Sequence, residues 1–285
     1  MTRLLCMFMI IAAACSVFAA GEDEILETAR QYYEGGDYYN AITEVMRYQF
    51  LFPAGSGFAQ SMLLMGKAYY RGENYRAAFG ALYACGRDYA GSPAGEEALY
   101  LAGYIQLVKG ETYDAGIIAG EYRARYPAGR FVEELDRDAC FAAALTRDPS
   151  GSRQGIKAYR EKYPEGKYRA DLERLENTLA GDAVRPRRHL WLSVLGSAII
   201  PGFGHFYTGH YAAGTLTLLS NALFIFMICN GAMMKNTYQI VFFSLAEAVV
   251  YQYNLFSAVR VVDEYNGKRE RDFLNNVRLG MTASF

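Results

Sequence analysis

The pattern of apolar and polar positions changes sharply along the chain, from alternating stretches at helical spacing to an almost uniformly apolar final third. Residues 191–259 contain only two formal charges, Lys235 and Glu247. Within them, residues 211–234 and 238–262 would each form a helix about 36 Å long, which exceeds the ~30 Å hydrocarbon core of a bilayer. A soluble core helix usually keeps a polar face. The pattern therefore favours a transmembrane helical hairpin over a buried soluble pair.

The amino terminus has the pattern of a secretory signal over residues 1–20. Arg3 precedes an apolar run at residues 4–14, and small residues follow up to a cleavage position at Ala19. Cys15 allows a second interpretation, lipoprotein processing, and an uncleaved signal anchor is a third. All three export the segment that follows, so the expected location is the bacterial cell envelope, membrane-anchored with the repeat domain in the periplasm.

Charge divides the mature chain into unlike parts. Residues 21–184 carry 19 Lys and Arg against 25 Asp and Glu, whereas residues 185–285 carry 9 against 5. We expect a mildly acidic soluble domain at 21–184, a membrane module at 185–265 and a polar carboxy-terminal tail at 266–285. The sequence lacks the clustered basic face that nucleic-acid binding requires, so we expect no nucleic-acid partner.

The soluble part repeats itself. Similar blocks that begin with glycine and contain tyrosine and alanine recur at residues 36–41, 72–77 and 110–115, and their tyrosines are 36 (Tyr39 to Tyr75) and 38 residues (Tyr75 to Tyr113) apart. A period of this length indicates stacked helical hairpins whose apolar sides are covered by neighbouring units. The glycine is expected to close the first helix in a left-handed conformation, and a following proline stops the second.

These blocks, together with the Tyr-Pro pairs at 126–127 and 163–164, resemble the tetratricopeptide repeat family over about residues 25–180. The resemblance implies a right-handed, all-α solenoid that binds peptides or partner proteins in a concave groove. In the fourth copy, Asp148–Ser152 replaces the glycine-tyrosine turn, and we expect a degenerate or capping unit there.

Tyrosines are frequent on the predicted first helices. Large rigid rings with a polar tip suit a recognition surface, and the candidate groove aromatics are Tyr32, Tyr69, Tyr70 and Tyr104. The alternative role for each is packing between helices of the array.

A glycine-rich string follows a short apolar helix at residues 190–200. That helix is too short to span a bilayer, so we expect a re-entrant or interfacial half-helix. The string resembles the two-transmembrane-helix domain family over residues 190–262, which implies a membrane hairpin of no settled activity. The matching positions are Pro201, Gly202, Gly204, Tyr207 and Gly209. The spacing fits neither a dinucleotide fingerprint nor a P-loop.

Polar residues within the apolar runs share helical faces, and such faces turn toward protein in lipid. Those of the first run are Thr217 and Asn221, and those of the second are Glu247, Tyr251 and Asn254. We expect the two faces to meet across the hairpin as structural glue. The alternative is a proton or ion path that joins Glu247 with His205 and His210.

Basic residues flank the module on both sides, at residues 185–188 and 268–271. Two spans plus a half-helix would leave both flanks outside, against the positive-inside tendency, whereas a third crossing would bring the carboxy terminus into the cytoplasm. We favour the first arrangement.

The exported soluble part has two cysteines, Cys85 and Cys140, which are expected to be buried thiols rather than a disulfide. We find no metal-ligand spacing, nucleophile motif or cofactor fingerprint, so an enzyme is not expected. The sequence favours a membrane-anchored repeat scaffold that binds a protein or peptide and contacts membrane lipid, with self-association left open. The alternative is a transport or channel component with a recruiting solenoid.

Overall fold

A computed structural model describes residues 21–282 of the chain, so the predicted signal segment and Cys15 lie outside the described residues. The described residues contain helices and no strand, which confirms the all-α class. The chain divides into two compact units, Met1–Glu176 with Gly280–Phe285, and Asn177–Leu279. The predicted domain boundaries at 184 and 265 stay predictions.

The first unit is a stack of helical hairpins, as the repeat pattern predicts. Helix α1 covers residues 21–34. The helices that follow are α2 (Tyr38–Leu51), α3 (Phe58–Arg71), α4 (Tyr75–Asp88), α5 (Pro93–Lys109), α6 (Thr112–Arg125), α7 (Val132–Leu145), α8 (Pro149–Lys162) and α9 (Arg169–Val184), the last of which extends into the second unit. Helices α3–α4, α5–α6 and α7–α8 form successive hairpins, and each packs on its neighbours. Helix α1 pairs with α2 in the same way, with Leu26 packed against Tyr48.

The structural period is 37 residues throughout. The residues that precede the second helix of each hairpin are Asp37, Asn74, Glu111 and Asp148. Three of them accept a backbone amide hydrogen bond on the side chain, as N-caps do. The tyrosine spacings of 36 and 38 fall on either side of this period, because Tyr39 and Tyr113 lie two residues after their caps and Tyr75 lies one residue after its cap.

The fourth copy is a complete hairpin. Asp148 accepts a hydrogen bond from the amide of Gly151 at 2.8 Å and starts a helix as long as α2, α4 and α6. The expectation of a degenerate unit is wrong because an aspartate cap followed by proline starts a helix without the glycine-tyrosine turn.

A left-handed residue precedes each cap, and it is not always glycine. Positive φ angles occur at Gly36, Glu73, Gly110 and Arg147, again 37 residues apart. In the second copy the predicted position, Gly72, has a φ of −81°, and Glu73 adopts the left-handed conformation at +60°. Non-glycine residues pay a steric cost there.

The core of the first unit centres on α5, which is buried on nearly all sides. The buried cluster around α5 includes Leu82, Leu99, Ile105 and Tyr122. Both Cys85 and Cys140 are free and buried, as predicted.

The second unit contains α10 (Leu190–Ile199), α11 (Phe203–Tyr207), α12 (Tyr211–Met233) and most of α13 (Thr237–Thr282). Helices α12 and α13 have the length and composition needed to cross a bilayer. Only 11% and 6% of their most apolar windows are buried. A pair of soluble core helices would be mostly buried, so this exposure does not fit the buried alternative. The described part of the predicted polar tail, residues 266–282, continues α13 as helix.

Candidate functional site

A carboxylate and a phenol hold the third hairpin to the loop that follows it. The hydroxyl of Tyr122, in the last turn of α6, donates to Oε1 of Glu96 in the first turn of α5 at 2.7 Å. The same carboxylate oxygen accepts from the amide of Arg130 at 2.7 Å. The amide of Phe131 in turn donates to the Tyr122 oxygen at 3.1 Å. One pair of side chains therefore joins both helices of a hairpin to the start of the next.

The same arrangement, which we call the Glu–Tyr clamp, recurs in two other hairpins. Tyr48 donates to Glu22 at 2.5 Å, and Tyr159 donates to Glu133 at 2.6 Å. The two residues of each clamp are 26 positions apart. In the α3–α4 hairpin the corresponding residues are Ala59 and Cys85, and only a 3.4 Å contact from the thiol to the Ala59 carbonyl remains.

Hydrogen bonds lower the pKa of the carboxylate in two of the clamps. The hydrogen bond from Tyr48 is the largest cause that lowers the pKa of Glu22. Burial raises the pKa of Glu96, but the hydrogen bonds from Tyr122 and Arg130 outweigh it, so that pKa also lies below its ordinary value. The negative charge sits at the amino-terminal turn of α5, where the helix dipole favours it.

The candidate groove aromatics differ in exposure. Tyr32 is 39% exposed, Tyr69 and Tyr70 are half-buried, and Tyr104 is only 2% exposed. The rings of Tyr70 and Tyr104 meet edge to face with centroids 6.5 Å apart. The structure thus gives Tyr104 a packing position, and of the four only Tyr32 has an open ring surface.

A buried ion pair lies in the row of first helices that carries these tyrosines. Arg137 is 1% exposed and its Nη2 lies 2.7 Å from Oδ1 of Asp138. Its guanidinium also packs over the ring of Tyr168, 4.3 Å from the centroid. Burial raises the pKa of Asp138, and the charge of Arg137 opposes this shift. Removing one partner of such a pair is costly, which gives it a structural role.

Among the described residues of the first unit, the most exposed aromatic rings lie on second helices, where the sequence predicts no site. Tyr39 and Tyr113 are each 80% exposed and Phe50 is 85% exposed. Tyr39, Met46 and Phe50 have helical spacing and share one face of α2. The sequence marks these exposed tyrosines as the residues two places after the caps at Asp37 and Glu111. A residue at that position takes no part in the pairing of the two helices.

In the second unit, the glycine string turns the chain between α10 and α11. Gly202 has a φ of +88°, and a Cβ atom there would lie 2.4 Å from the carbonyl oxygen of Gly214 in α12. A Cβ at Gly204 would lie 2.5 Å from Oγ of Ser193. Gly209 has room for a side chain but a φ of +87°. At each of these positions a side chain would clash with a neighbour or strain the backbone, which explains why glycine occupies it.

The other two motif positions complete this turn. Pro201 precedes the left-handed Gly202 at the reversal between the helices. Tyr207 stacks on Phe203, with ring centroids 6.0 Å apart, and its hydroxyl accepts a hydrogen bond from the amide of His189 at 3.2 Å. Helix α11 therefore returns to the level at which α10 begins.

Tyr251 and Asn254 of α13 hold this turn. The Asn254 side chain accepts from the amide of Gly202 at 2.8 Å and donates to the carbonyl of Ser197 at 2.9 Å. The hydroxyl of Tyr251 donates to the carbonyl of Ala198 at 2.7 Å. The expected meeting with the polar face of α12 is therefore wrong for these two residues, because the α10–α11 reversal leaves backbone groups that need partners.

The polar residues of α12 bond within their own helix. Thr217 donates to the carbonyl of Ala213, and Asn221 donates to the carbonyl of Thr217. Phe224 contacts Phe243 with centroids 6.0 Å apart, and this register places Asn221 and Glu247 at about the same level. Oδ1 of Asn221 and Oε2 of Glu247 are buried without a hydrogen-bond partner among the described residues.

The two histidines lie together but far from Glu247. The rings of His205 and His210 are 6.5 Å apart, and both line a cavity with Glu264. Glu247 and Glu264 are separated by 17 residues of continuous helix, roughly 25 Å at 1.5 Å per residue. The structure does not bring together the groups of the alternative proton path. Among the described residues, no cluster of three His, Cys, Asp or Glu side chains could hold a metal.

Comparison with known protein families gives a match to YfiO, described as an outer membrane lipoprotein, over residues 19–181. This range is more than half of the 285 residues. The chain belongs to the YfiO family. No curated protein matches the chain.

The family match covers the hairpin stack and ends within α9. It places the protein in a family of the bacterial envelope and agrees with the helical repeats. The second unit lies almost wholly outside the matched residues, and its resemblance to the two-transmembrane-helix domain family stays a prediction.

Proposed function

We propose that this YfiO-family protein is a membrane-anchored scaffold of the bacterial envelope whose hairpin stack binds a partner protein on the exported side of the membrane. Binding rather than catalysis is its mechanism, with no cofactor. The observation that carries the proposal is the family match over the stack of hairpins.

Membrane anchoring is supported by the second unit. Helices α12 and α13 present their apolar side chains outward, where lipid would cover them. The re-entrant hairpin α10–α11 satisfies its exposed backbone groups through Asn254 and Tyr251, as non-helical backbone at membrane depth requires. We propose that α12 and α13 span the bilayer and that α10–α11 does not.

Export is supported by the signal pattern and by the family. Lipid modification at Cys15 and cleavage after Ala19 remain alternatives, and metabolic labelling with a radioactive fatty acid separates them. Label that depends on Cys15 indicates the lipoprotein route, whereas an unlabelled mature chain that begins at Ala20 indicates simple cleavage.

Two surfaces of the stack can supply aromatic contacts to a partner. The first-helix surface has Tyr32 and the half-buried Tyr69 and Tyr70, and the second-helix surface has Tyr39 and Phe50. Aromatic side chains give large contact area at low entropic cost. We propose the first-helix surface, since the family resemblance implies recognition in the groove.

Photocrosslinking in intact cells tests this choice. A photoreactive amino acid replaces Tyr32, Tyr39 or, as a control on α8, the exposed Lys157. Capture of one protein from Tyr32, and not from Lys157, supports the proposal. Capture from Tyr39 alone moves the site to the second helices, and a chain that captures nothing at any position is not a scaffold of this kind.

Carbonate extraction and a topology reporter fused after Phe285 test the anchor. We expect the protein to stay in the membrane and the reporter to lie on the same side as the hairpin stack. Release by carbonate would contradict the anchor, and a reporter on the opposite side would contradict two spans.

A further inference from the structure

The basic flanks of the second unit come together at one end of the apolar helices. The amide of Arg188 donates to the Asn266 side chain at 2.9 Å, and that side chain donates back to the Arg188 carbonyl at 2.9 Å. Arg269 pairs with Asp182 at 2.8 Å. These contacts fasten the segment before α10 to the part of α13 that follows the apolar run.

Arg188 is held between two aromatic rings. Its guanidinium lies 4.6 Å from the centroid of Tyr207 and 5.4 Å from that of Tyr265. Its Nε atom and that of Arg269 are buried without an acceptor among residues 21–282. Two guanidinium donors are therefore fixed in place and unsatisfied.

A cavity of about 660 Å³ opens beside this junction. Its size falls within the ~300–1,000 Å³ typical of ligand sites. Its charged lining residues are Arg185, Lys268, Arg269, Arg271, Glu264 and Asp272. Glu264 is paired with Arg260 at 2.8 Å, and Arg269 is paired with Asp182.

The remaining charges of the cavity are unbalanced. Arg185, Lys268 and Arg271 are exposed, and none of them forms an ion pair with a carboxylate in the described part of the chain. Only Asp272 opposes them on the cavity wall. Three cations without partners at one opening attract an anion with several oxygens, such as a phosphate group.

The location of the cavity indicates which kind of molecule carries the phosphate group. The cavity lies where α12 begins and where the apolar run of α13 ends, and Trp191 and Tyr211 are 62% and 68% exposed at the starts of α10 and α12. Exposed aromatic rings beside apolar helices mark the headgroup level of a bilayer. Basic pockets at this level bind anionic lipid headgroups.

We propose that this cavity binds the phosphate headgroup of an anionic phospholipid. The inference rests on the proposed membrane anchor. It also explains why basic residues flank the module on the exported side of the membrane, where the positive-inside tendency does not favour them.

The test uses the full-length chain purified in mild detergent, with native mass spectrometry to compare bound phosphatidylglycerol and phosphatidylcholine. The wild type should retain phosphatidylglycerol preferentially. Combined Arg185→Gln, Lys268→Gln and Arg271→Gln substitutions should weaken that binding by on the order of a hundredfold, at about tenfold or less per charge. The matched control carries Arg76→Gln, Arg153→Gln and Lys157→Gln, the same charge change on exposed residues of the hairpin stack, and should bind as the wild type does.

A conservative variant, a competition experiment and carbonate extraction distinguish the possible explanations of a loss of binding. Arg185→Lys with Arg271→Lys keeps the charge and should keep the preference, and an unchanged helical circular dichroism spectrum of the glutamine variant excludes misfolding as the cause of the loss. Inorganic phosphate that competes as well as the lipid would show a free-anion site and overturn the lipid assignment. Equal binding of the two lipids, or an unchanged triple variant, would also overturn it. A protein that carbonate releases fails as a membrane anchor, whereas one that stays in the membrane without lipid preference fails only this inference.

Discussion

The hydroxyl of Tyr122 and the carboxylate of Glu96 form a 2.7 Å hydrogen bond that connects the end of one helix to the start of its partner. The carboxylate also accepts a hydrogen bond from the amide of Arg130, so the clamp connects its hairpin to the next one as well. In a stack where units contact only their neighbours, such junctions set the cooperativity of unfolding.

Replacing Tyr122 with Phe should lower the free energy of local unfolding around α5–α7 by about 1–3 kcal/mol, because it leaves Glu96 and the Phe131 amide without their shared partner. Hydrogen exchange of the full chain in detergent measures this locally. Tyr113→Phe is the control, since Tyr113 is 80% exposed and should change stability by less than ~0.5 kcal/mol. Equal effects of the two substitutions would exclude the clamp as a stabilising element.

Acid should weaken the clamps of Glu22 and Glu96. The pKa values of Glu22 and Glu96 are lowered in the folded state from 4.5, so the unfolded chain takes up protons first as the pH falls. The stabilisation is thus complete above about pH 4.5 and is lost as the pH falls through the folded pKa values. Asp138, whose pKa is raised by burial, has the opposite dependence.

Thermal melting by circular dichroism at a series of pH values measures the sum of these effects. The Glu96→Gln variant isolates the clamp, because its melting temperature should fall less steeply in acid than that of the wild type. Parallel curves for the two proteins would show that Glu96 contributes nothing to the acid sensitivity.

Glu73→Gly should stabilise the α3–α4 hairpin by about 0.5–1 kcal/mol, because Glu73 holds a left-handed φ of +60° that glycine adopts without steric cost. The equivalent residue of the first hairpin provides a reversed control. Gly36→Ala, at a φ of +80°, should destabilise its hairpin by a similar or larger amount. Urea unfolding followed by hydrogen exchange compares them, and a loss of stability in Glu73→Gly would contradict the steric argument.

Gly202→Ala should lower the free energy of unfolding of the α10–α11 turn by at least about 2 kcal/mol. The new methyl group would clash with the Gly214 carbonyl, and residue 202 has a left-handed backbone conformation. Trp191 is the single tryptophan of the chain and lies in α10, so its fluorescence reports this turn. Gly181→Ala is the control, since nothing lies within 4 Å of the added atom. An unchanged melting curve for Gly202→Ala would show that the motif is not needed for the turn.

The hairpin stack is predictable because the sequence repeats with a regular period, but the tyrosines alone do not give its exact length, since Tyr38 and Tyr39 are adjacent. Matching Tyr39 with Tyr75 gave unequal steps, although the polar caps Asp37 and Asn74 mark the true repeat. Capping chemistry fixes a helix start more firmly than an exposed aromatic residue does.

The clamps could not be read from one sequence, since Glu96 and Tyr122 lie 26 residues apart and meet only once two helices pair. The membrane helices follow from length and composition, but the partners of Asn254 do not. Its side chain bonds to backbone groups of a reversal whose position depends on tertiary packing.

In the α3–α4 hairpin, Ala59 and Cys85 replace the clamp pair with a single thiol contact, and Cys85 packs with Leu82 and Leu99 in the buried cluster that joins this hairpin to α5. The hydroxyl of Tyr126 also donates to the carbonyl of Ala90, and Arg125 donates to the carbonyl of Gly86. This junction therefore depends on apolar packing rather than on a clamp carboxylate, and the reaction of Cys85 with alkylating reagents would report when the cluster opens.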